Sequence, residues 1–219
     1  MKKRVVALYG SPGSGKGTQA NLLAYRCGFV HFDTGKYIEQ LVHNPALQKS
    51  PVIKRERRFF DTGYLCTPSW VLKIVRAQTR RFAKAGLSIV LSGSPRTLYE
   101  AKNLIPELEK LYGRKNIKFF SLEVPKDDAV KRNLVREWCS VCGAIIIDLG
   151  YRLRRCPICK GKLVRRTLDN RKTLVRRFEE YDERTKPIFD FVRKRGYRVV
   201  KIDGRPLPEK VFSSISKRL

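Results

Sequence analysis

Residues 10–18 read Gly10-Ser11-Pro12-Gly13-Ser14-Gly15-Lys16-Gly17-Thr18, a glycine-rich run that decides the fold. A strand-like apolar stretch, Val5–Tyr9, precedes the run, and a helix-like stretch, Gln19–Ala24, follows it. Glycines let the backbone curl until several N–H groups point into one concavity, and the helix N-terminus adds partial positive charge. Lys16 contributes a full charge for the outer phosphates. The run therefore predicts a phosphate-binding loop between a strand and a helix.

Apolar runs recur between helical patterns along the chain. They are Val5–Tyr9, Phe29–Phe32, Leu87–Leu91, Ile117–Val124 and Tyr197–Ile202. Runs rich in valine and isoleucine between helices predict crossover connections. The sequence therefore predicts an α/β fold, a parallel sheet of the P-loop NTPase type with helices on both faces. The long helical pattern from Asn170 to Arg195 contains Pro187, which is expected to kink or split it.

Two stretches lack this alternation of strand and helix patterns, and they predict small inserts in a single core domain. Residues 34–63 are helical, polar and basic, without a strong strand pattern. Residues 139–166 contain four cysteines and two hairpin-like runs, Ala144–Ile147 and Lys162–Val164.

Four of the six cysteines predict a metal site. They form two Cys-x-x-Cys pairs, Cys139/Cys142 and Cys156/Cys159, with 13 residues between the pairs. Each pair places two thiolates on one side of a tight turn, and two such turns build a tetrahedral four-sulfur cage whose usual occupant is structural zinc. A redox pair needs only one such motif, and two disulfides do not suit a cytosolic chain. The other two, Cys27 and Cys66, are expected to be small buried apolar residues.

The chain is strongly basic. Its 219 residues include 48 Lys plus Arg against 20 Asp plus Glu, a net charge of +28. Such a charge attracts polyanions, so a nucleic-acid partner is one hypothesis and a solvated basic surface is the other. No apolar run approaches the ~20 residues of a membrane span, and the apolar stretch after Met1–Arg4 is too short for a signal peptide. We therefore expect a cytoplasmic protein without membrane segments.

A second loop, Ser92-Gly93-Ser94-Pro95-Arg96-Thr97, directly follows a predicted strand. Ligands bind at the carboxyl ends of parallel strands, so Arg96 is a candidate phosphate clamp, the alternative being a surface turn. Dispersed arginines around the cysteine insert are further candidates, because phosphoryl transfer needs cations around in-line phosphates. In so basic a chain, a solvated charge is the favoured interpretation of any one of them taken alone. These residues are Arg132, Arg136, Arg166 and Arg177.

Together these motifs resemble the adenylate kinase family, in the form with a zinc-bearing lid. The likeness covers nearly the whole chain. Besides the glycine-rich loop and the four cysteines, it rests on Thr34-Gly35, Gly63-x-Leu65, Gly93-x-Pro95-Arg96-Thr97, Thr185-x-Pro187 and Ile202-Asp203-Gly204. The resemblance implies a core domain of residues 1–33, 68–131 and 170–219, a helical insert for the nucleoside monophosphate at 34–67, and a zinc-binding lid at 132–169.

The resemblance also implies a monomer that transfers a phosphoryl group from ATP to a nucleoside monophosphate with Mg2+, AMP being the first candidate acceptor. The implied ATP-binding residues are Gly13, Ser14, Gly15, Lys16, Gly17, Thr18, Arg132 and Arg136. The implied acceptor-binding residues are Thr34, Gly35, Tyr64, Cys66, Gly93, Arg96 and Glu100. The residues implied around the transferring group are Lys16, Arg96, Arg136, Arg166, Asp169 and Arg177.

The chain departs from the family pattern at the expected Mg2+ position and in the motif after the lid. Ser92 stands where the family usually has an Asp that helps to organise the water around Mg2+. After the lid, Leu168 replaces the first of two Asp residues, while Asp169 remains.

Two further departures lie on the acceptor side. Glu39 replaces an Arg for the AMP phosphate, for which nearby Arg55, Arg57 or Arg58 are candidate substitutes. Glu100 replaces a Gln that reads adenine. An ionised Glu only accepts hydrogen bonds, so it suits a base that offers N–H donors, such as guanine or uracil.

Three functions follow from these residues. The first is adenylate kinase activity, and the second is the same reaction with another acceptor, such as GMP or UMP. The third is a catalytically weakened nucleotide-binding protein that binds RNA through its basic lid, since zinc knuckles bind single-stranded RNA. Aromatic residues for base stacking are scarce in the lid, with only Tyr151 between the cysteine pairs.

Overall fold

A parallel five-stranded sheet forms the centre of the computed structural model, which describes residues 3–147, 153–165 and 168–219. In chain order the strands are β1 (Val5–Tyr9), β2 (Val30–Phe32), β3 (Ile89–Leu91), β4 (Ile117–Glu123), β5 (Arg136–Cys139), β6 (Ile145–Ile147), β7 (Leu163–Arg165) and β8 (Val199–Asp203). The central sheet has the order β2-β3-β1-β4-β8, and its neighbouring strands are parallel. This arrangement confirms the predicted fold class, because parallel neighbours need crossover connections.

Helices pack on both faces of this sheet. They are α1 (Lys16–Cys27), α2 (Thr34–Val42), α3 (Pro51–Asp61), α4 (Pro68–Lys84), α5 (Leu98–Tyr112), α6 (Lys126–Leu134), α7 (Arg171–Glu180), α8 (Pro187–Lys194) and α9 (Pro208–Ser216). Successive residues of a strand point to opposite faces, so Val5, Ala7 and Tyr9 join a core with α4, α5 and α8. Val6 and Leu8 join a second core with α1 and α9.

The strand bounds agree with the apolar runs except at some ends. β1 has the predicted bounds, whereas β3 begins at Ile89 rather than Leu87. The backbone N–H of Leu87 donates to the carbonyl oxygen of Phe82 and closes the turn after α4. The hydroxyl of Ser88 accepts a hydrogen bond from the backbone N–H of Arg4. Leu87 therefore belongs to the turn, whereas Ser88 already contacts the neighbouring chain segments, since its carbonyl oxygen accepts from the backbone N–H of Val30 at 2.8 Å.

The first predicted insert folds as α2, a short 3-10 helix (Pro45–Leu47) and α3. The second contains an antiparallel sheet of order β6-β5-β7. The two hairpin-like runs thus pair with β5, one on each side, and not with each other. The exact domain bounds stay a prediction.

Pro187 splits the long helical pattern as expected. α7 ends at Glu180, a π-helical turn spans Tyr181–Thr185, and α8 begins at Pro187. A proline lacks the backbone N–H that a helix interior needs, but the first position of a helix does not use this donor. Among the described residues, no helix has the length and apolar character required to cross a membrane.

Candidate active site

A cavity of about 570 Å³ lies at the carboxyl ends of β1 and β3. Its walls come from the glycine-rich loop, the loop after β3, the first turn of α2, the strands β5 and β6, and α7. This is the edge at which parallel α/β sheets bind ligands. Both predicted loops therefore meet at one site.

The glycine-rich loop needs its glycines for conformation and for space. Gly13 and Gly15 have φ values of +84° and +94°, in the region that residues with a side chain rarely adopt. A Cβ on Gly13 would lie 2.3 Å from the carbonyl oxygen of Ala129. α1 begins at Lys16, directly after this turn, so the helix N-terminus faces the cavity.

Lys16 lies at the centre of the predicted cations. Its Nζ donates hydrogen bonds to the carbonyl oxygens of Gly10 (2.7 Å) and Ser11 (2.8 Å). Burial, and then the charges of three arginines, lower the pKa of Lys16 well below its ordinary value, while Asp33 opposes this shift. The three are Arg96, Arg177 and Arg136. Of the predicted arginines around the transferring group, only Arg166 lies outside the described residues.

Asp169 fixes two of these arginines. The guanidinium of Arg136 donates from Nε (3.0 Å) and Nη2 (2.7 Å) to the carboxylate, and Nη1 of Arg177 donates to Oδ1 at 3.3 Å. The Asp169 side chain is only 4 % exposed. Bidentate pairs of this kind hold the guanidinium plane in one orientation. Leu168, the departure next to it, is buried and lines the cavity.

Arg132 is attached to the loop after β8. Its Nη1 donates to the carbonyl oxygen of Gly204 (2.8 Å) and its Nη2 to that of Arg205 (3.0 Å). Since Arg132 also lines the cavity, this pair of bonds holds a planar cation against the motif Ile202-Asp203-Gly204.

Arg96 approaches two glycines on the other side of the cavity. A Cβ on Gly93 would lie 3.0 Å from its Nη2, and a Cβ on Gly35 would lie 3.3 Å from the same atom. The missing side chains therefore leave room for the guanidinium. Thr34, beside Gly35, is buried, and its hydroxyl has no hydrogen-bond partner within the described part of the chain.

Tyr64 and Cys66 lie on the same side of the site but differ in access to it. Tyr64 lines the cavity, whereas Cys66 is buried and does not. Between them, the backbone N–H of Leu65 donates to the carboxylate of Glu180 at 3.1 Å. Burial raises the pKa of the Cys66 thiol to about 12, in line with a small apolar residue. Cys27, also expected to be a buried apolar residue, is half-buried and packs against the core shared with α1 and α9.

Glu100 does not line the cavity, although the sequence suggests that it contacts the acceptor base. It is buried in the first turn of α5. Its carboxylate accepts from the backbone N–H of Arg96 (2.9 Å) and from the hydroxyl of Thr97 (3.0 Å), whose Oγ1 caps the backbone N–H of Glu100. These contacts form a capping arrangement at the helix start. Burial raises the pKa of the Glu100 carboxyl above its ordinary value. A base contact by Glu100 finds no support in this placement.

Ser92 belongs to a hydrogen-bonded chain that the sequence did not reveal. Nε2 of His31 lies 2.7 Å from the Ser92 hydroxyl, and Nδ1 lies 2.7 Å from Oδ1 of Asn21. Burial lowers the pKa of His31. A carboxylate lies at the end of the neighbouring strand. Phe32 of β2 pairs with Leu91 of β3, so the next residues, Asp33 and Ser92, stand at adjacent strand ends, and both line the cavity.

Lys36 is a second functional candidate that sequence analysis missed. It lies on α2 three residues before Glu39, so the two share a face of the helix, and both line the cavity. Its Nζ lies 5.2 Å from the ring centre of Trp138 on β5, a cation–π contact between the two inserts. The sequence signal that points to Lys36 is its spacing of three residues from Glu39 in a helical segment. Three arginines suggested as substitutes are not among the residues that line the cavity: Arg55, Arg57 and Arg58.

The four predicted cysteines come together in the second insert. Their sulfur atoms all lie within 4.8 Å of one another. Two of the separations are 3.3 Å between Cys139 and Cys159, and 3.7 Å between Cys142 and Cys156. The backbone N–H groups of Cys142 and Val141 hold the pKa of the Cys139 thiol at about 6, below its ordinary value. A tetrahedral ion with sulfur ligands at ~2.3 Å has sulfur separations of this order, so the cluster fits zinc.

Comparisons with known proteins agree with this site. A family model described as adenylate kinase matches residues 8–197. A protein of Caldicellulosiruptor bescii named adenylate kinase is 33 % identical over 197 residues, 88 % of each chain. A protein of Elusimicrobium minutum with the same name is 29 % identical over 97 % of each chain. One of Methanothrix thermoacetophila, also named adenylate kinase, is 30 % identical over 98 % of this chain and 97 % of the relative. The chain therefore belongs to the adenylate kinase family, and it is a phosphotransferase.

Proposed function

We propose that this chain transfers the γ-phosphoryl group of ATP to AMP and forms two molecules of ADP. The convergence of Arg96, Arg136 and Arg177 on Lys16 carries this proposal. In the reaction, the bond between the γ-phosphorus and the oxygen that bridges to the β-phosphate breaks. A bond forms from the same phosphorus to a phosphate oxygen of AMP. Because phosphoryl transfer needs mainly positioning and charge stabilisation, clustered cations are the chemistry that the reaction requires.

The donor side of the cavity binds ATP in this proposal. Backbone N–H groups of residues 13–18 and the ammonium of Lys16 hold the β- and γ-phosphates. Arg132, held by the carbonyl oxygens of Gly204 and Arg205, presents its planar guanidinium to the adenine. Asp169 orients Arg136 and Arg177 toward the transferred group, and it acts as a positioning residue.

The acceptor side holds the AMP phosphate with two cations. Arg96 lies against Gly93 and Gly35, and Lys36 supplies the charge that Glu39 does not. A cation in the first turn of a helix opposes the helix dipole, so Lys36 is unfavourable for α2 alone. A bound phosphate dianion removes this penalty, which supports a ligand-binding role.

Mg2+ is expected to enter with the ATP phosphates. It prefers oxygen ligands and keeps several of its waters, so few protein groups are needed. Asp33 and the Ser92 hydroxyl line the cavity at adjacent strand ends and fit this requirement as partners of those waters. When bound, Mg2+ neutralises charge that develops on the β- and γ-oxygens.

Zinc is the proposed occupant of the four-cysteine cluster. A closed four-sulfur site leaves no coordination position for substrate, so its role is structural. The cluster joins β5 to the segment around β7, and Ile145 of β6 would contact a Cβ on Gly17 at 3.5 Å. The metal thus stabilises the part of the chain that covers the glycine-rich loop.

An acceptor panel tests the proposed function. Purified protein with Mg2+ and ATP is incubated with AMP, GMP, UMP or CMP, and each product is quantified by ion-exchange chromatography. We expect ADP from AMP at the highest kcat/KM. A higher kcat/KM with GMP or UMP would replace AMP as the acceptor, and no diphosphate from any acceptor would contradict kinase activity.

A further inference from the structure

Three polar side chains from distant parts of the chain form a hydrogen-bonded row in the cavity wall. Asn21 belongs to α1, His31 to β2, and Ser92 to the loop after β3, and all three line the cavity. The His31 ring lies between the other two. Its Nδ1 is 2.7 Å from Oδ1 of Asn21, and its Nε2 is 2.7 Å from the Ser92 hydroxyl. Both ring nitrogens are therefore occupied, and the chemistry of the two partners decides which way each hydrogen bond runs.

The Asn21 end of the row fixes the proton on the His31 ring. The side-chain oxygen of Asn21 only accepts hydrogen bonds, so Nδ1 of His31 carries the proton that is donated to it. Burial lowers the pKa of His31, although nearby Asp33 opposes this shift, and the neutral ring is therefore favoured. In a neutral ring that is protonated at Nδ1, the other nitrogen, Nε2, can only accept.

The direction of the bond at Ser92 follows from this protonation. The Ser92 hydroxyl donates its single proton to Nε2 of His31, and its oxygen keeps both lone pairs. A serine hydroxyl that rotates freely presents either a donor or an acceptor to its surroundings. Held by His31, Ser92 presents only an acceptor.

An acceptor is what the proposed role of Ser92 requires. Water bound to a cation turns its hydrogens outward, so the groups that hold such water must accept hydrogen bonds. Ser92 and Asp33 stand at adjacent strand ends and both line the cavity. The Ser92 hydroxyl is neutral, so it can accept from these waters without adding a second negative charge beside the phosphates.

We propose that His31 is a positioning residue that holds the Ser92 hydroxyl as a hydrogen-bond acceptor for the waters that enter with Mg2+ and ATP. This inference rests on the proposed function. Asn21 completes the arrangement, because its oxygen keeps the ring proton on Nδ1. A purely structural row would need the two hydrogen bonds but not this direction of them.

The tautomer of His31 is tested on the ligand-free protein. The chain has two histidines, His31 and His43, so the long-range proton–nitrogen NMR spectrum of the rings is assigned with the single variant His43→Phe. We expect a neutral His31 ring with its proton on Nδ1 at neutral pH. A ring protonated at Nε2, or at both nitrogens, would overturn the inference, because Ser92 would then accept a hydrogen bond from His31 and its own proton would be free.

The consequence for the metal is tested by calorimetric titration with ATP in EDTA and with ATP in excess Mg2+. In His31→Phe we expect the Kd for ATP with Mg2+ to rise about 10-fold or more, the lower end of the range for groups that orient the surroundings of a metal. The Kd for ATP in EDTA should not change. Ser92→Ala should show the same selective loss, and adding His31→Phe to it should cause no further loss, because the hydroxyl to be oriented is gone.

His43→Phe is the matched control for these titrations. Both ring nitrogens of His43 are also hydrogen-bonded, to the carbonyl oxygen of Glu39 and to the carboxylate of Asp61, but His43 does not line the cavity. This variant should bind both forms of ATP like the wild type.

Three results of the titrations would overturn the inference and leave His31 with a structural role. They are an unchanged Kd with Mg2+, an equal loss with and without Mg2+, and additive losses in the double variant. If His31→Phe fails to fold, the NMR spectrum and Ser92→Ala still decide between the two roles. A wild type that binds ATP in neither form would instead defeat the proposed function and this inference with it.

Discussion

Asp169 influences the site through two arginines, because its carboxylate accepts hydrogen bonds from Arg136 and Arg177 at once. We predict that Asp169→Asn lowers kcat by roughly 100-fold, the typical cost of displacing a catalytic group by about an ångström. Asp61→Asn is a matched control, since Asp61 pairs with Arg57 away from the cavity. Steady-state kinetics at saturating ATP and AMP measure the effect. A kcat within twofold of the wild type would show that Asp169 does not position the arginines.

Glu100 gives a second test at a single position. Glutamine keeps the size of the side chain but has one carbonyl oxygen for the two hydrogen bonds that the carboxylate accepts. We predict that Glu100→Gln costs about 1 kcal/mol of stability and leaves the ratio of kcat/KM for AMP over GMP unchanged. Thermal unfolding and the two acceptor assays measure both quantities. A fivefold or greater change in the ratio would mean that Glu100 reads the base.

Sequence motifs predict some side chains of the site and miss others. Lys16 and Arg96 are predictable because their roles depend on a local loop that is visible in the sequence. His31 and Asn21 are not, because the hydrogen bonds that join them to Ser92 exist only once the fold brings distant parts of the chain together. Lys36 is hidden for a similar reason: its contact with Trp138 joins two distant inserts.

We expect the β5–β7 segment to depend on its four cysteines for stability. Three short strands form a marginal sheet, so the metal is expected to supply much of the folding free energy there. We predict one zinc per chain by elemental analysis, and a lower melting temperature after chelation or in Cys142→Ser. Cys27→Ser, which removes a thiol outside the cluster, is the control. The prediction would be contradicted if the protein contained no zinc and its melting temperature were the same with and without the chelator.

Periodicity predicts the elements of the core better than those of the inserts. β1 has its predicted bounds because a buried parallel strand is apolar throughout and ends at a glycine. The pairing of β6 and β7 with opposite sides of β5 is not predictable from two short apolar runs, since the runs alone do not specify the strand with which each one pairs. The π-helical turn before Pro187 is likewise unexpected, because the sequence predicts only that the proline interrupts the helix.

The net charge of +28 is a property of the whole molecule. If it reflects a solvated basic surface, RNA contacts are mainly to phosphates and displace counterions. We predict that binding to a uridine homopolymer, measured by fluorescence anisotropy, is detectable at 50 mM salt. At 200 mM salt, affinity should fall about 300-fold or more if six or more phosphates of this single strand are contacted. Tight binding that persists at the higher salt, with a defined site size, would instead support an RNA partner.

The central claim is that phosphoryl transfer takes place in the cavity around Lys16. The most direct test compares ADP formation from ATP and AMP by the wild type and by Lys16→Ala, with circular dichroism to establish that both are folded. Removing the cation of the glycine-rich loop should reduce turnover about 10³-fold or more, while the fold stays intact. A folded Lys16→Ala protein that retains a tenth or more of wild-type turnover would contradict the assignment of the cavity as the active site.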